Sequence, residues 1–421
     1  MLIKQGITRW IDANWHRVML VVANMGILAF QRVVQRIAGL VSLYFVARHL
    51  SLAEFGQYQF TAVALAALAF FALPGLDNAV MQLSARGSNV LYGRAVKFSI
   101  YFSFLGSILL LISAFVLNTS HPEMLGPLLI AAALFPPYLA MAQWKSVLVG
   151  EARFLKLAVL EGATAILTNG GLIAGVFLHA SAPWVFVLLY LLPTALVNLV
   201  TTLFYLRRMK SLASMKESDA PFRYGLETSG VTAVSMIGEQ VERLAIFLLI
   251  GPATLAIYIA GDRLSELVRS VFQDAAAVLA PRFSRMSTYE GRIERAILLI
   301  SVAAGVAILL FAVTLAPHAL VLIFGPTYAL SIPFAQALLV SVAVGNVGQF
   351  QFRFIRSQLD SSSFRQITLW TTGVRIVGSL VLIKLFGVWG AVASLIIHRL
   401  AISIVSSAMI RRRYRTVAVV P

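Results

Sequence analysis

Arg32 and Arg36 stand one helical turn apart in an apolar stretch, GILAFQRVVQRIAGLVSLYFVA (26–47), that contains no acid. Like charges at that spacing repel. They need partners on another helix, or a bound anion. A guanidinium offers planar donors that match the oxygens of a phosphate or carboxylate. A second charged group lies in MIGEQVERL (236–244), which holds Glu239, Glu242 and Arg243. A third lies in IAGDRLSELVRSVFQDAAAVLAPRF (259–283), which holds Asp262, Arg263, Glu266, Arg269 and Asp274. Carboxylates in such surroundings are candidate carriers of H⁺ or Na⁺. Lys145, Glu161, Arg375, Lys384 and Arg399 add further charge within apolar runs, beside His398.

Helical geometry sorts these residues. At about 100° per residue, Asp262, Glu266, Arg269 and Gln273 form one line, with Arg263, Ser270 and Asp274 beside it. Leu264, Val268, Val271, Phe272, Ala275 and Leu279 take the opposite side. Gln31, Gln35 and Ser42 form a similar line, flanked by Arg32, Arg36 and Gly39. Thr232, Ser235, Glu239, Glu242 and Arg243 share one arc. Each stripe makes its helix polar on one side and apolar on the other.

The elements that position them are membrane spans. The chain has 421 residues, 59% hydrophobic and 12% charged, against about half and about a quarter in soluble domains. A helix needs about 20 apolar residues to cross a bilayer, and lipid tolerates no unsatisfied backbone. The pattern predicts an all-α, polytopic membrane protein with twelve helices: 25–47, 58–80, 95–117, 125–148, 155–178, 183–206, 226–250, 253–279, 294–316, 332–354, 366–386 and 388–409. LPGLDN (73–78), FPPY (135–138) and FGPTY (324–328) punctuate them. A charge at bilayer depth costs roughly 2.5–3.5 kcal/mol on insertion scales. Stripes of such charges are therefore expected to face one shared, hydrated cavity, lined by spans one, seven, eight and eleven. Arginines facing water there suit an anionic, phosphorylated ligand.

The net charge of +17 follows from topology. With both termini in the cytoplasm, most lysines and arginines fall in cytoplasmic segments, and the loops on the other face hold Arg48 alone. This is the positive-inside pattern, and it argues against nucleic acid as a partner. Acidic lipid headgroups at the inner surface are a natural partner for that charge. Residues 1–17 read as an amphipathic arm on the cytoplasmic surface, without the pattern of a cleavable signal peptide.

The segment RRMKSLASMKESDAPFR (207–223) divides the chain into halves. The expected domains are a six-helix lobe at 1–209, a linker at 210–221 and a second six-helix lobe at 222–421. The halves are weakly alike. Ala53 and Tyr58, at the turn between spans one and two, match Ala253 and Tyr258 between spans seven and eight. Six spans per half make a parallel repeat, with a substrate site between the lobes.

Other chemistry is excluded or disfavoured. There is no cysteine, hence no disulfide or thiolate metal site. No HExxH pairing and no GxxxxGK[ST] motif occurs, so no metal or nucleotide cofactor is expected. The longest outer loop, 316–331, is too short for a catalytic domain. Local pairs such as Glu239 with Arg243, or Glu266 with Arg269, also read as structural salt bridges. Glu161 reads either as a packing partner or as a proton site, and Lys145 as an interfacial anchor beside Trp144.

Residues 35–87, QRIAGLVSLYFVARHLSLAEFGQYQFTAVALAALAFFALPGLDNAVMQLSARG, resemble the start of polysaccharide flippases of the multidrug/oligosaccharidyl-lipid/polysaccharide exporter superfamily. The ARxLS end of span one, the EFGxY turn, LLIGPATLAIYIAGDRL (248–264) and FGPTY carry the resemblance. It implies two six-helix lobes around a central cavity, alternating access, and transfer of a polyprenyl-pyrophosphate-linked oligosaccharide from the inner to the outer leaflet of the bacterial cytoplasmic membrane. Twelve spans favour an O-antigen, capsule or exopolysaccharide repeat unit on undecaprenyl pyrophosphate over lipid II. A polysaccharide polymerase and a chain-length regulator are then expected partners. Arg32, Arg36, Arg263, Arg269 and Arg375 are the expected pyrophosphate ligands, with Gln31, Gln35 and Gln273 for sugar hydroxyls. Glu239, Glu242, Asp262, Glu266 and Asp274 are the expected ion carriers. Two alternatives remain: a cation-coupled multidrug antiporter of the same superfamily, and a membrane polymer-assembly enzyme or scaffold.

Overall fold

The computed structural model describes residues 26–27, 29–209, 220–283, 286, 291–358 and 361–414; it leaves the side chains at 209, 231, 274–282, 291–293 and 361 undescribed. The described residues are helical, with no strand among them. The helices are α1 (29–49), α2 (Leu52–Leu68), α3 (Pro74–Ala85), α4 (Val90–Leu117), α5 (Leu125–Leu139), α6 (Trp144–Gly150), α7 (Phe154–Phe177) and α8 (Pro183–Met209) in the first half. The second half contains α9 (Ala220–Leu249), α10 (Pro252–Phe283), α11 (Gly291–Thr314), α12 (Ala316–Phe324), α13 (Ile332–Ser357), α14 (Ser361–Phe386) and α15 (Val388–Arg413).

Each expected span corresponds to a helix or a broken helix. Among the described residues, nine helices are long and apolar enough to cross a membrane. The helices outside that set include α9 and α10, whose charged stripes lower their mean hydropathy. Span two breaks at Leu73, which has φ 55°, because Pro74 disfavours a helical residue before it. Pro136 and Pro137 lie in the last turn of α5, and a 3₁₀ turn over Ala140–Gln143 leads into α6. The expected loop at 316–331 is a correction: it folds as α12 and a 3₁₀ segment, Pro326–Ser331. Its apolar residues Ala316, Leu320 and Phe324 are buried, and Gly325, at φ 97°, makes the sharp exit.

Two helical lobes meet along α2 and α3 on one side and α9 and α10 on the other. At the end where Ser51 begins α2, the contact is dense. Ser51 and Glu54 form a capping box, Ser51 N donating to Glu54 Oε2 at 2.8 Å and Glu54 N to Ser51 Oγ at 3.3 Å. Two residues later Gly56 meets the start of α10 so closely that a Cβ there would lie 1.9 Å from the Pro252 carbonyl oxygen. Phe60 stacks on Phe247 with ring centroids 3.7 Å apart. Arg48 donates to the carbonyl oxygens of Leu322 (2.9 Å) and Val321 (3.3 Å). It thus adds a donor at the C-terminal carbonyls of α12, where Val321 O also accepts from Gly325 N, and ties α1 to the other lobe. Toward the opposite end, Gly75 N donates to Ser229 Oγ at 2.9 Å, joining α3 to α9. A large apolar surface, including Phe104, Val200, Leu310 and Trp370, stays exposed, as the outside of a membrane protein requires.

Candidate functional site

The lobes enclose cavities lined by the charged stripes. A cavity of about 310 Å³ lies between them, with Arg36, Ser42, Tyr58, Asn169 and Tyr190 on one wall and Arg263, Glu266 and Ser270 on the other. A second, of about 300 Å³, is lined by Tyr138 and Tyr190 from the first lobe and Met236, Glu239 and Gln240 from the second. A small recess of about 50 Å³ shares Glu239, Gln240 and Glu266 with these two and is otherwise walled by Glu242, Arg243, Tyr258, Asp262, Arg269, Arg375, Leu395 and Arg399. Most of the second lobe's intramembrane charge converges there.

Most of the ion pairs of this region run between helices. Arg243 on α9 donates to Asp262 Oδ2 on α10 at 2.5 Å and also to Glu266. Gln240 Oε1 accepts from the same guanidinium at 3.2 Å. Arg263 reaches Glu266 Oε2 at 3.1 Å. Arg375 on α14 makes a two-pronged contact with Glu242, Nε to Oε1 at 2.7 Å and Nη2 to Oε2 at 2.8 Å. Glu242 is only 1% exposed and Asp262 6%, so each guanidinium offsets a charge that burial alone would make costly. The expected local pairs therefore give way to cross-helix ones. Glu239, one turn from Arg243, is exposed and contributes its backbone oxygen to Arg375 at 3.2 Å.

The other expected residues are placed as follows. Arg36 lines the central cavity; Arg32 is exposed and does not. Gln31 donates to Glu161 Oε2 at 3.0 Å and Gln35 to the Glu161 carbonyl oxygen at 3.4 Å, so both amides turn to α7 instead of the cavity. Glu161 also pairs with Lys145 at 3.1 Å, which gives that lysine an intramembrane partner in addition to Trp144, whose ring lies 5.7 Å away. Gln273 is exposed beyond Arg269, and the side chain of Asp274 lies outside the described residues.

The cavity also contains residues that periodicity does not single out. Tyr58 and Tyr190 meet edge to face at 6.2 Å, and Tyr138 donates to the Tyr190 hydroxyl at 3.4 Å. Asn169 accepts from Ser42 at 2.6 Å. Rings and hydroxyls of this kind suit a polar ligand with apolar faces. The one available signal is the repeat: Tyr58 lines the central cavity and Tyr258, its counterpart, lines the small recess.

The family described as polysaccharide biosynthesis protein matches residues 21–287. The chain belongs to that family. No curated protein matches the sequence. Among solved structures, this polysaccharide biosynthesis family member is similar to the lipid II flippase MurJ in an inward closed conformation, with 13% identity over 91% of this chain and 87% of that one and a TM-score of 0.65. It is also similar to a multidrug resistance MATE family transporter of the MOP superfamily in an inward-facing conformation, with 14% identity, 90% and 94% coverage and a TM-score of 0.62. A MOP superfamily transporter from Pyrococcus furiosus matches with 14% identity, 94% and 95% coverage and a TM-score of 0.60. At these identities the likeness is one of fold: a polytopic, all-α membrane architecture.

Proposed function

We propose that the protein is a flippase that carries a polyprenyl-pyrophosphate-linked oligosaccharide, of the undecaprenyl type, from the inner to the outer leaflet by alternating access. The observation that carries the reading is Arg36 facing Arg263 across one inter-lobe cavity in a chain of a polysaccharide biosynthesis family. Two guanidinium forks from opposite walls are suited to a pyrophosphate. The sugars would lie against Tyr58, Tyr190 and Asn169, and the prenyl chain would stay in lipid. Arg32, on the same helix at an exposed position, would meet the headgroup as it enters.

The same reading takes 1–209 and 222–421 as lobes joined by 210–221. It sets both termini in the cytoplasm and the Ser51 end at the outer face of a bacterial inner membrane. A polymerase and a chain-length regulator would receive the product. H⁺ or Na⁺ is the proposed driving ion. Asp262, Glu266 and Glu242 are all paired with arginine, which disfavours them as simple carriers and weakens the antiporter alternative; Glu239 keeps an exposed carboxylate.

A strain lacking the protein is expected to trap lipid-linked repeat units on the cytoplasmic leaflet and to lose the corresponding surface polymer. Leaflet-specific labelling of the lipid-linked sugar would read this directly. Normal surface polymer with no trapped intermediate would contradict the proposal.

A further inference from the structure

Four stretches that mark the sequence meet at one place in the fold. ARHLS (47–51) ends α1, EFGQY (54–58) begins α2, LIGPATLA (249–256) joins α9 to α10, and FGPTY (324–328) leaves α12. The first two belong to one lobe and the last two to the other. Gly56 meets the Pro252 backbone. Phe55, 0% exposed, lies edge-on to Tyr328 at 5.9 Å and to Phe324 at 6.5 Å. Arg48 donates to the carbonyl oxygens of Leu322 and Val321, and its guanidinium lies 4.4 Å from the Tyr44 ring centroid. Gly325 passes close by: a Cβ there would lie 3.5 Å from Arg48 Cγ.

These contacts part in different ways. Rings and glycines are surfaces that separate as the lobes tilt. The Arg48 contact is directional and charged. Its acceptors are backbone oxygens at the end of α12, where the helix dipole is negative. Among the described residues no acid pairs with Arg48, and a guanidinium on neutral carbonyls holds less tightly than one on a carboxylate. The bond can therefore break and re-form. Toward the other end the lobes touch backbone to backbone. A Cβ on Gly75 would fall 2.1 Å from the Gly225 carbonyl oxygen, and Gly75 N is held by Ser229 Oγ at 2.9 Å. Small residues that let backbones approach this closely allow tilting with little loss of contact. Arg48 is on α1, the helix that also brings Arg36 to the central cavity. Opening that cavity at the Ser51 end, by a tilt about α3 and α9, carries α1 away from α12 and breaks both Arg48 bonds.

We infer that Arg48 and the end of α12 form a latch that holds the central cavity shut at the Ser51 end. The Gly75–Gly225 contact is its pivot, and the strength of the latch sets how much of the protein is open at that end. This inference rests on the alternating-access part of the flippase reading. Removing the latch favours the open state by the free energy of the lost bonds and no more.

The chain has no cysteine, so paired spin labels can be placed without background. Labels on Ser120→Cys and Ala329→Cys span the lobes at the Ser51 end, and labels on Gln82→Cys and Tyr224→Cys span α3 and α9; all four positions are exposed. The test uses the full-length protein in lipid nanodiscs without substrate, and pulsed dipolar spectroscopy reads the distances. Arg48→Gln is expected to raise the ratio of long to short distances at 120/329 by roughly twofold to tenfold, the weight of one hydrogen bond, and to leave 82/224 unchanged. Arg48→Lys should fall between wild type and Arg48→Gln. Thermal unfolding checks that each variant is folded. If Arg48→Gln does not fold, Arg48→Lys decides on the same two pairs. An unchanged 120/329 distribution overturns the latch. Equal broadening at both pairs shows a general loosening and overturns it too. Neither substrate nor gradient enters the measurement, so the latch can hold where flipping of the lipid-linked sugar fails, and fail where flipping holds.

Discussion

Arg36→Ala is expected to abolish surface polymer in a strain that depends on the variant, and Arg263→Ala to do the same. The two arginines face one cavity from opposite lobes, so each would supply a charged contact to the same pyrophosphate. A hydrogen bond to a charged group is worth about 1.5–3 kcal/mol, or roughly a tenfold to hundredfold loss of affinity per arginine. Arg36→Lys should recover only part of the activity, because an ammonium keeps the charge but loses the planar fork. Arg32→Ala should have the smaller effect, since Arg32 lies outside the cavity wall. Polymer assays, with membrane levels of each variant matched, check the order. Equal losses at Arg32 and Arg36 would remove the cavity from the explanation.

Glu242→Ala should be the most destabilising single change in the charged network. It would strip Arg375 of both carboxylate contacts, at 2.7 and 2.8 Å, and leave a largely buried cation between α9 and α14. Breaking a buried pair in this way costs about 3–5 kcal/mol. Replacing both partners, as in Glu242→Leu with Arg375→Met, removes the stranded charge and should restore most of the loss. Thermal unfolding in detergent reads both variants. A double variant no more stable than Glu242→Ala would mean that the pair does more than neutralise itself. Arg243 is the parallel case, because among the described residues its removal leaves Asp262 without an ion-pair partner and Glu266 with Arg263 alone.

Much of this arrangement is legible in the sequence, for reasons visible at particular residues. The spans are legible because apolar runs of membrane length are rare outside membranes. The stripes are legible because helical geometry puts Asp262, Glu266 and Arg269 on one line whatever packs against them. Which residues pair is a different matter. Spacing joins Glu239 to Arg243, yet Arg243 turns to α10, where Asp262 is buried and Glu239 is not. Gln31 and Gln35 share the line of Ser42, yet both amides are drawn to Glu161, the isolated acid of α7. Tyr190 and Asn169 sit in apolar helices with no periodic signal at all, and they reach the cavity only through the packing of one helix against the next. Helix α12 escapes as a loop because nine residues are too few to read as a span.

Translocation of a pyrophosphate-linked glycolipid is the event to be measured. Its most direct measurement places the purified protein in sealed proteoliposomes with a fluorescent polyprenyl-pyrophosphate oligosaccharide in both leaflets and follows the fraction reached by an impermeant quencher. The protected fraction is expected to become accessible with the wild-type protein and to stay protected with Arg36→Ala or Arg263→Ala. A protected fraction unchanged by the wild-type protein, with an imposed H⁺ or Na⁺ gradient as well as without one, would contradict it.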